Sequence, residues 1–290
     1  MTVQSDRPCL SFIGLGALGS PMAANLLASG FSLHVHNRTA AAAEPLLAAG
    51  ARWTATPAAA ASAADVLCLC LSDDAAVMAV MADAWAGLKP GTLVIDFSTI
   101  SPSTSQAMAA RLQQHGVAYI DAPVTGGTEG ARAGNLSVLV GAQPADLERA
   151  RPVLAVVGGR ITHLGPVGAG QQAKAVNQVL VAGSYAAVAE ALTLAEGLAL
   201  PMETLLEALR PGAAGSWALD NRADGMVARD YPLGFKLALH RKDLAIALQA
   251  AAAMQLELPI SARVAAIEDD LIKAGHGERD VSALAEWFKP

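Results

Sequence analysis

The 290-residue chain is long enough for two ordinary domains, and just over half of its residues are apolar, which supports buried cores. A net charge of −6 and 4% aromatic residues exclude a nucleic-acid partner held by a basic, stacking surface. A small anion is not excluded, because a local group of donors can bind one inside an acidic protein. Glu190 and Glu196 interrupt the apolar run at 179–201, so no membrane helix is expected. Residues 1–8 are polar and lack the basic-then-apolar order of a signal peptide. Cys68 and Cys70 alternate within Val66-Leu67-Cys68-Leu69-Cys70-Leu71 as packing residues of a buried strand. That reading suits a reducing, cytoplasmic compartment, and no Cys/His spacing suggests a metal site.

In chain order, residues 9–13 predict a strand entering a glycine turn, and 20–28 a helix that stops at Gly30. A second strand spans 32–36, and an alanine-rich helix runs to about Ala49, with Gly50 suited to its C-cap. Further strands are expected at 66–71, 93–96, 117–121 and 137–140. Strands alternating with helices imply parallel βαβ units, hence a Rossmann-type doubly wound α/β sheet. From Gly170 strand patterning all but ends, and helices are expected over 171–198, 203–209, 216–228, 237–254 and 260–274. The chain thus reads as a dinucleotide-binding domain over 1–166 and an all-helical domain for substrate and oligomerisation over 167–290.

Gly14-Leu15-Gly16-Ala17-Leu18-Gly19 lies between the first strand and the first helix. Its glycines suit a tight turn, backbone approach to a pyrophosphate and close helix–strand packing, with the phosphates at the helix N-terminus. At the end of the second strand an NAD site normally places Asp or Glu. Here Asn37-Arg38-Thr39 stands instead, a cation with two donors that suits a 2′-phosphate. NADP(H) is the expected cofactor, with NAD(H) as the other candidate.

Further motifs follow in order: Asp121-Ala122-Pro123-Val124-Thr125-Gly126-Gly127 continuing to Gly134-Asn135-Leu136, then Gly168-Ala169-Gly170 with Lys174 and Asn177, then Lys242-Asp243-Leu244. Together with the extended glycine turn through Asn25 and Leu26, they make the whole chain resemble the β-hydroxyacid dehydrogenases, which share a fold with 6-phosphogluconate dehydrogenase. The resemblance implies an NAD(P)-dependent oxidoreductase that interconverts a small carboxylate-bearing hydroxyacid and its semialdehyde. Thr125, Gly126 and Gly127 offer a hydroxyl and open N–H groups to a carboxylate, with Thr where the family usually has Ser. Lys174 is implied as the general acid and base, and Asn177, three residues on, orients the lysine or the substrate. Lys242 is implied beside both substrate and nicotinamide, Asp243 as support for the site's hydrogen bonds, and Thr99 at the nicotinamide ribose.

The flanking sequence around Asn177, Ala189-Glu190-Ala191, His240-Arg241 and Val281-Ser282 leans toward the tartronate semialdehyde reductase branch. Reduction of 3-hydroxyisobutyrate's semialdehyde, of succinic semialdehyde or of glyoxylate stays open, because one methyl or hydroxyl shifts discrimination by only about 1–3 kcal/mol. A non-catalytic NADP-binding sensor is the alternative of another class. Lys236 and Arg241 read as solvent-facing charges. Val176, Leu180, Val181, Val188, Leu192 and Leu194 on the long helix need apolar partners, which with the resemblance implies a homodimer or homotetramer.

Overall fold

The computed structural model describes residues 7–288, so the polar N-terminal segment read above lies, except for Arg7 and Pro8, outside the described residues. Two compact units divide the chain after Lys174.

The first unit is built on strands β1 (Leu10–Ile13), β2 (Leu33–His36), β3 (Arg52–Trp53), β4 (Val66–Leu69), β5 (Leu93–Asp96), β6 (Ala118–Asp121), β7 (Val124–Thr125), β8 (Leu136–Gly141) and β9 (Gly158–Gly165). Between them run helices α1 (Gly19–Ala28), α2 (Glu44–Ala48), α3 (Pro57–Ser62), α4 (Asp74–Ala84), α5 (Pro102–Gln113), α6 (Gly127–Ala133) and α7 (Pro144–Val157). The sheet order is β3-β2-β1-β4-β5-β6-β8-β7, with β9 beside β8. β1 pairs in parallel with both β2 and β4, so the strand order reverses there and the crevice beyond its C-terminal end is the usual ligand position.

Both faces of this sheet are covered. Leu10, Phe12, Val66, Cys68, Leu93 and Ile95 enter one apolar cluster. Ile13, Leu67, Leu69 and Val94 enter a second. Alternate residues on each strand thus serve opposite cores, which is why β1, β4 and β5 are apolar or buried at every position. Each fully buried Leu, Ile or Val contributes roughly 1.5–3 kcal/mol.

The parallel pattern ends at β6. β8 runs antiparallel to β6 and β7, and only β9 restores a parallel pairing. Only residues 126–135, which include the seven-residue α6, connect β7 to β8, fewer than the roughly dozen or more that a parallel crossover needs. β3 and β7 are two residues each and β9 is largely exposed, so none carries the apolar alternation by which a strand is recognised. The expected helix before Ala49 divides into a 3-10 turn, Ala40–Ala43, and α2, with Pro45 in the first turn of α2.

Helix α8 (Ala169–Gly197) begins in the first unit, and α9 (Met202–Leu209), α10 (Trp217–Ala228), α11 (Leu237–Ala253) and α12 (Pro259–Lys273) follow. The second unit's core joins Ala182, Tyr185, Ala189 and Leu192 of α8 to Leu219, Met226, Leu244, Val264 and Leu271. Val188 and Leu192, read as candidates for a subunit contact, are buried in this core, and Val181 packs against it. Val176, Leu180 and Leu194 are 64%, 69% and 64% exposed. By length and hydropathy alone α8 passes as a membrane span, contrary to the expectation from its glutamates. Its apolar residues instead supply one side of a helical core, a role that meets the same test.

Candidate functional site

At the end of β1 the chain turns at Gly14, whose φ of +100° is open to glycine. A Cβ at Gly14 would lie 2.2 Å from the carbonyl oxygen of Cys70, and one at Gly19 would lie 1.9 Å from that of Gly14. Gly16 differs: a Cβ there would meet nothing within 4 Å, so its backbone faces open space. No side chain caps α1, and its first turn holds no acidic residue. An unblocked helix N-terminus behind an open glycine fits a dinucleotide pyrophosphate. Asn37 braces this turn: its Oδ1 accepts the Leu15 N–H at 3.0 Å and its Nδ2 donates to the Thr39 carbonyl at 3.0 Å. Arg38 and Thr39 are exposed beside it. His36 is held from behind, with Nδ1 2.8 Å from the Thr54 carbonyl and its ring stacked on Trp53.

The ends of β5 and β6 hold the start of α8. Asp96 accepts the Ser98 N–H at 2.9 Å and the Tyr119 hydroxyl at 2.9 Å, while burial pushes its carboxyl up to about 6. The Ser98 hydroxyl oxygen accepts the Leu71 N–H. Gln171 clasps the same turn, its Nε2 donating to the Ser98 carbonyl at 2.7 Å and its Oε1 accepting the Ile100 N–H at 3.2 Å. Thr99 sits half-buried between these two contacts. Asp121 accepts the N–H groups of Gly168 and Gln171, and burial raises its carboxyl despite those bonds. Lys174, one turn farther along α8, is 6% exposed. A lysine this buried is uncommon unless it is paired.

Thr125 is half-buried on β7, and Gly126 and Gly127 follow with φ of +132° and +64°. Asn25 of α1 donates from Nδ2 to the Ala131 carbonyl at 2.8 Å and so ties the glycine-turn helix to α6. Asn135 lies where the backbone of Gly159 passes so close that a Cβ there would come within 1.9 Å of its Oδ1.

In the second unit, Asn177, Lys242 and Asp243 are brought together through Gln178. Asn177 Nδ2 donates to Gln178 Oε1 at 2.7 Å, Gln178 Nε2 donates to Asp243 Oδ2 at 2.7 Å, and Lys242 Nζ lies 2.7 Å from Asp243 Oδ1. The two charges read as solvent-facing are both paired: Arg241 binds Asp269 through two nitrogens, and Lys236 meets Glu278. Sequence reasoning missed Gln171 and Gln178, which are 1% exposed, and gave Asp96 and Asp121 no role. The signal available was spacing: 171, 174, 175 and 178 fall on one face of α8, and a helix face with three polar residues facing inward is unusual.

The family described as the NAD binding domain of 6-phosphogluconate dehydrogenase matches residues 9–165. A second, described as NAD-binding of NADP-dependent 3-hydroxyisobutyrate dehydrogenase, matches residues 168–288. The chain is 38% identical to a Pseudomonas aeruginosa NAD-dependent L-serine dehydrogenase, over 97% of this chain and 98% of that one. It is also 38% identical to the Escherichia coli K12 2-hydroxy-3-oxopropionate reductase, over 96% of each. Among solved structures it is similar to a Mycobacterium tuberculosis 3-hydroxyisobutyrate dehydrogenase with L-serine, with a TM-score of 0.88 and 34% identity, covering 98% of this chain and 99% of that one.

Proposed function

The chain belongs to the β-hydroxyacid dehydrogenase family of NAD(P)-dependent oxidoreductases, and from that premise we propose that it reduces tartronate semialdehyde to glycerate with NADPH and runs the reverse reaction through the same groups. The observation that carries this reading is the burial of Lys174 on α8, just past the turn that Asp121 and Gln171 secure. An ammonium held there supplies the proton that an aldehyde oxygen needs as it becomes an alkoxide, and the neutral amine takes that proton back in oxidation. The hydride comes from bound NADPH. Gly14, Gly16 and Gly19, with the intervening Leu15, Ala17 and Leu18, would hold its pyrophosphate, Arg38 and Thr39 its 2′-phosphate, and Thr99 its nicotinamide ribose. Asn37 supports the phosphate loop from behind, because one of its amide hydrogens and its oxygen already bind backbone. Thr125, Gly126 and Gly127 take the substrate carboxylate, and Asn177 and Lys242 complete the polar contacts.

The equal identity to a serine dehydrogenase and a semialdehyde reductase leaves the choice of substrate to the flanking sequence, which favours tartronate semialdehyde. L-serine is the second reading, since it too is a β-hydroxyacid and one relative acts on it by name. We infer a homo-oligomer joined through the exposed residues Val176, Leu180, Leu194 and Leu198 of this chain's second unit, and a cytoplasmic location consistent with three free cysteines. Sedimentation at micromolar concentration should show no monomer; a monomer alone would end the oligomer reading.

The deciding experiment follows NADPH and NADH absorbance with tartronate, succinic and methylmalonic semialdehydes and glyoxylate, and NADP+ reduction with L-serine, beside Lys174→Ala. NADPH oxidation with tartronate semialdehyde, reduced about 10²–10⁴-fold in the variant, is expected. Turnover unchanged by Lys174→Ala would remove the lysine from the reaction. Silence on every substrate with NADPH still bound would favour a sensor.

A further inference from the structure

Asn177, Gln178, Asp243 and Lys242 form a chain of hydrogen bonds, and its direction is set from one end. Lys242 Nζ occupies Asp243 Oδ1 at 2.7 Å, and an ion-paired carboxylate has acceptors only. Whatever faces Asp243 Oδ2 must therefore donate, so the Gln178 atom 2.7 Å away is Nε2. Oε1 is then the atom Gln178 turns to Asn177, and the Asn177 atom 2.7 Å from it has to be Nδ2. Amide oxygen and nitrogen are distinguished only by their partners, and here one ionised side chain distinguishes both amides in turn. Gln178 and Asp243 are 1% and 3% exposed, so water does not stand in for either bond if an amide flips.

Building on the reading that Asn177 faces the reacting molecule, we propose that Gln178 is a positioning residue that transmits the polarity of Asp243 to Asn177, so that Asn177 presents its Oδ1 and accepts a hydrogen bond from the substrate hydroxyl. In this orientation Nδ2 keeps one hydrogen beyond the bond to Gln178, and Oδ1 is the acceptor that the amide offers. An Oδ1 acceptor there favours a hydroxyl-bearing molecule over one with no donor at that position. Gln178 hydrogen-bonds both Asn177 and Asp243 and so connects the two.

Reversing the chain tests this without reference to turnover. Asn177→Asp places an acceptor against Gln178 Oε1, and Asp243→Asn removes the charge that orients the amide. Asn177→Asp alone should lower Tm by about 3–8 °C, and Asp243→Asn alone by less, because both amides can then turn over and only the charge of the Lys242 pair is lost. Asn177→Asp combined with Asp243→Asn keeps the net charge, lets Gln178 turn over and satisfies every member again, so at least half of the summed loss should return. In a Gln178→Leu background that recovery should vanish. Additive losses in the double variant, its failure to fold along with the singles, or recovery that survives Gln178→Leu would each overturn the proposal. A second measurement reads the exposed oxygen, with calorimetry of 3-hydroxypropionate and propionate binding to the protein with NADP+. 3-Hydroxypropionate should bind more tightly, and Asn177→Leu should weaken it about tenfold while leaving propionate unchanged. No preference for the hydroxylated acid, or equal weakening of both, would refute an acceptor at Asn177. Unchanged turnover in Lys174→Ala would defeat the proposed reaction and leave the Tm result standing, so the two failures are distinguishable.

Discussion

Asp121 Oδ2 accepts the backbone N–H of Gln171 at 2.8 Å, so the last residue of β6 closes the N-terminus of the helix that carries Lys174. The companion oxygen takes the Gly168 N–H at 2.7 Å, and the backbones of Gly141 and Gly170 pack against the same carboxyl. Asp121→Ala should therefore cost about 2–4 kcal/mol in urea unfolding, and Asp121→Asn less than that, because one oxygen still accepts. A loss below about 0.5 kcal/mol for the alanine variant would show that the cap does not hold this helix.

The glycine turn separates folding from cofactor binding at single positions. Gly16→Ala adds a methyl that meets no protein atom, so Tm should stay within about 2 °C while NADPH binding weakens at least about tenfold. Gly19→Ala drives a methyl into the Gly14 carbonyl and should lower Tm outright. Thermal melts with and without NADPH, read beside fluorescence titration, check both. Unaltered NADPH affinity in Gly16→Ala would mean the phosphates lie elsewhere.

Arg38 is the exposed cation next to the Asn37 brace. Arg38→Ala should raise the Kd for NADPH about 10–100-fold and that for NADH less than about threefold, the difference being one charge-assisted contact to a 2′-phosphate. Equal losses for the two nucleotides would assign Arg38 to the common part of the cofactor or to the loop itself.

Burial raises the Asp96 carboxyl to about 6, against the partial opposition of Ser98 and Tyr119. Its folded value then exceeds its unfolded one, so the folded protein holds this proton more tightly. The stabilisation is complete below about pH 4 and is lost as pH rises to about 6, an amount on the order of 2–3 kcal/mol. Urea unfolding at pH 4, 5, 6 and 7 should show the unsubstituted protein losing stability relative to Asp96→Asn across this window. A difference between the two proteins that does not vary with pH would contradict the assignment.

The features legible in the sequence are those whose physical requirement is local. Gly14, Gly16 and Gly19 announce a strand–turn–helix junction because strand, tight turn and helix fall within a few residues of one another. Lys174 and Asn177 lie on a single helix, so their shared face follows from helical spacing. The repeated strand–helix alternation likewise yields a doubly wound sheet from β1 to β6, since apolar runs buried on both faces look alike in any such fold.

What tertiary structure alone decided is which distant groups meet. Asp121 and Gln171 are 50 residues apart, and Gln178 and Asp243 are 65 apart. No periodicity relates such positions, and a buried glutamine is indistinguishable in sequence from one facing solvent. The antiparallel return of β8 and the burial of Val188 and Leu192 within their own unit belong to the same class. By itself the sequence determined the local conformations and the chemical groups on offer. Packing determined which of those groups lost water, and with it which hydrogen bonds had to be made inside the protein.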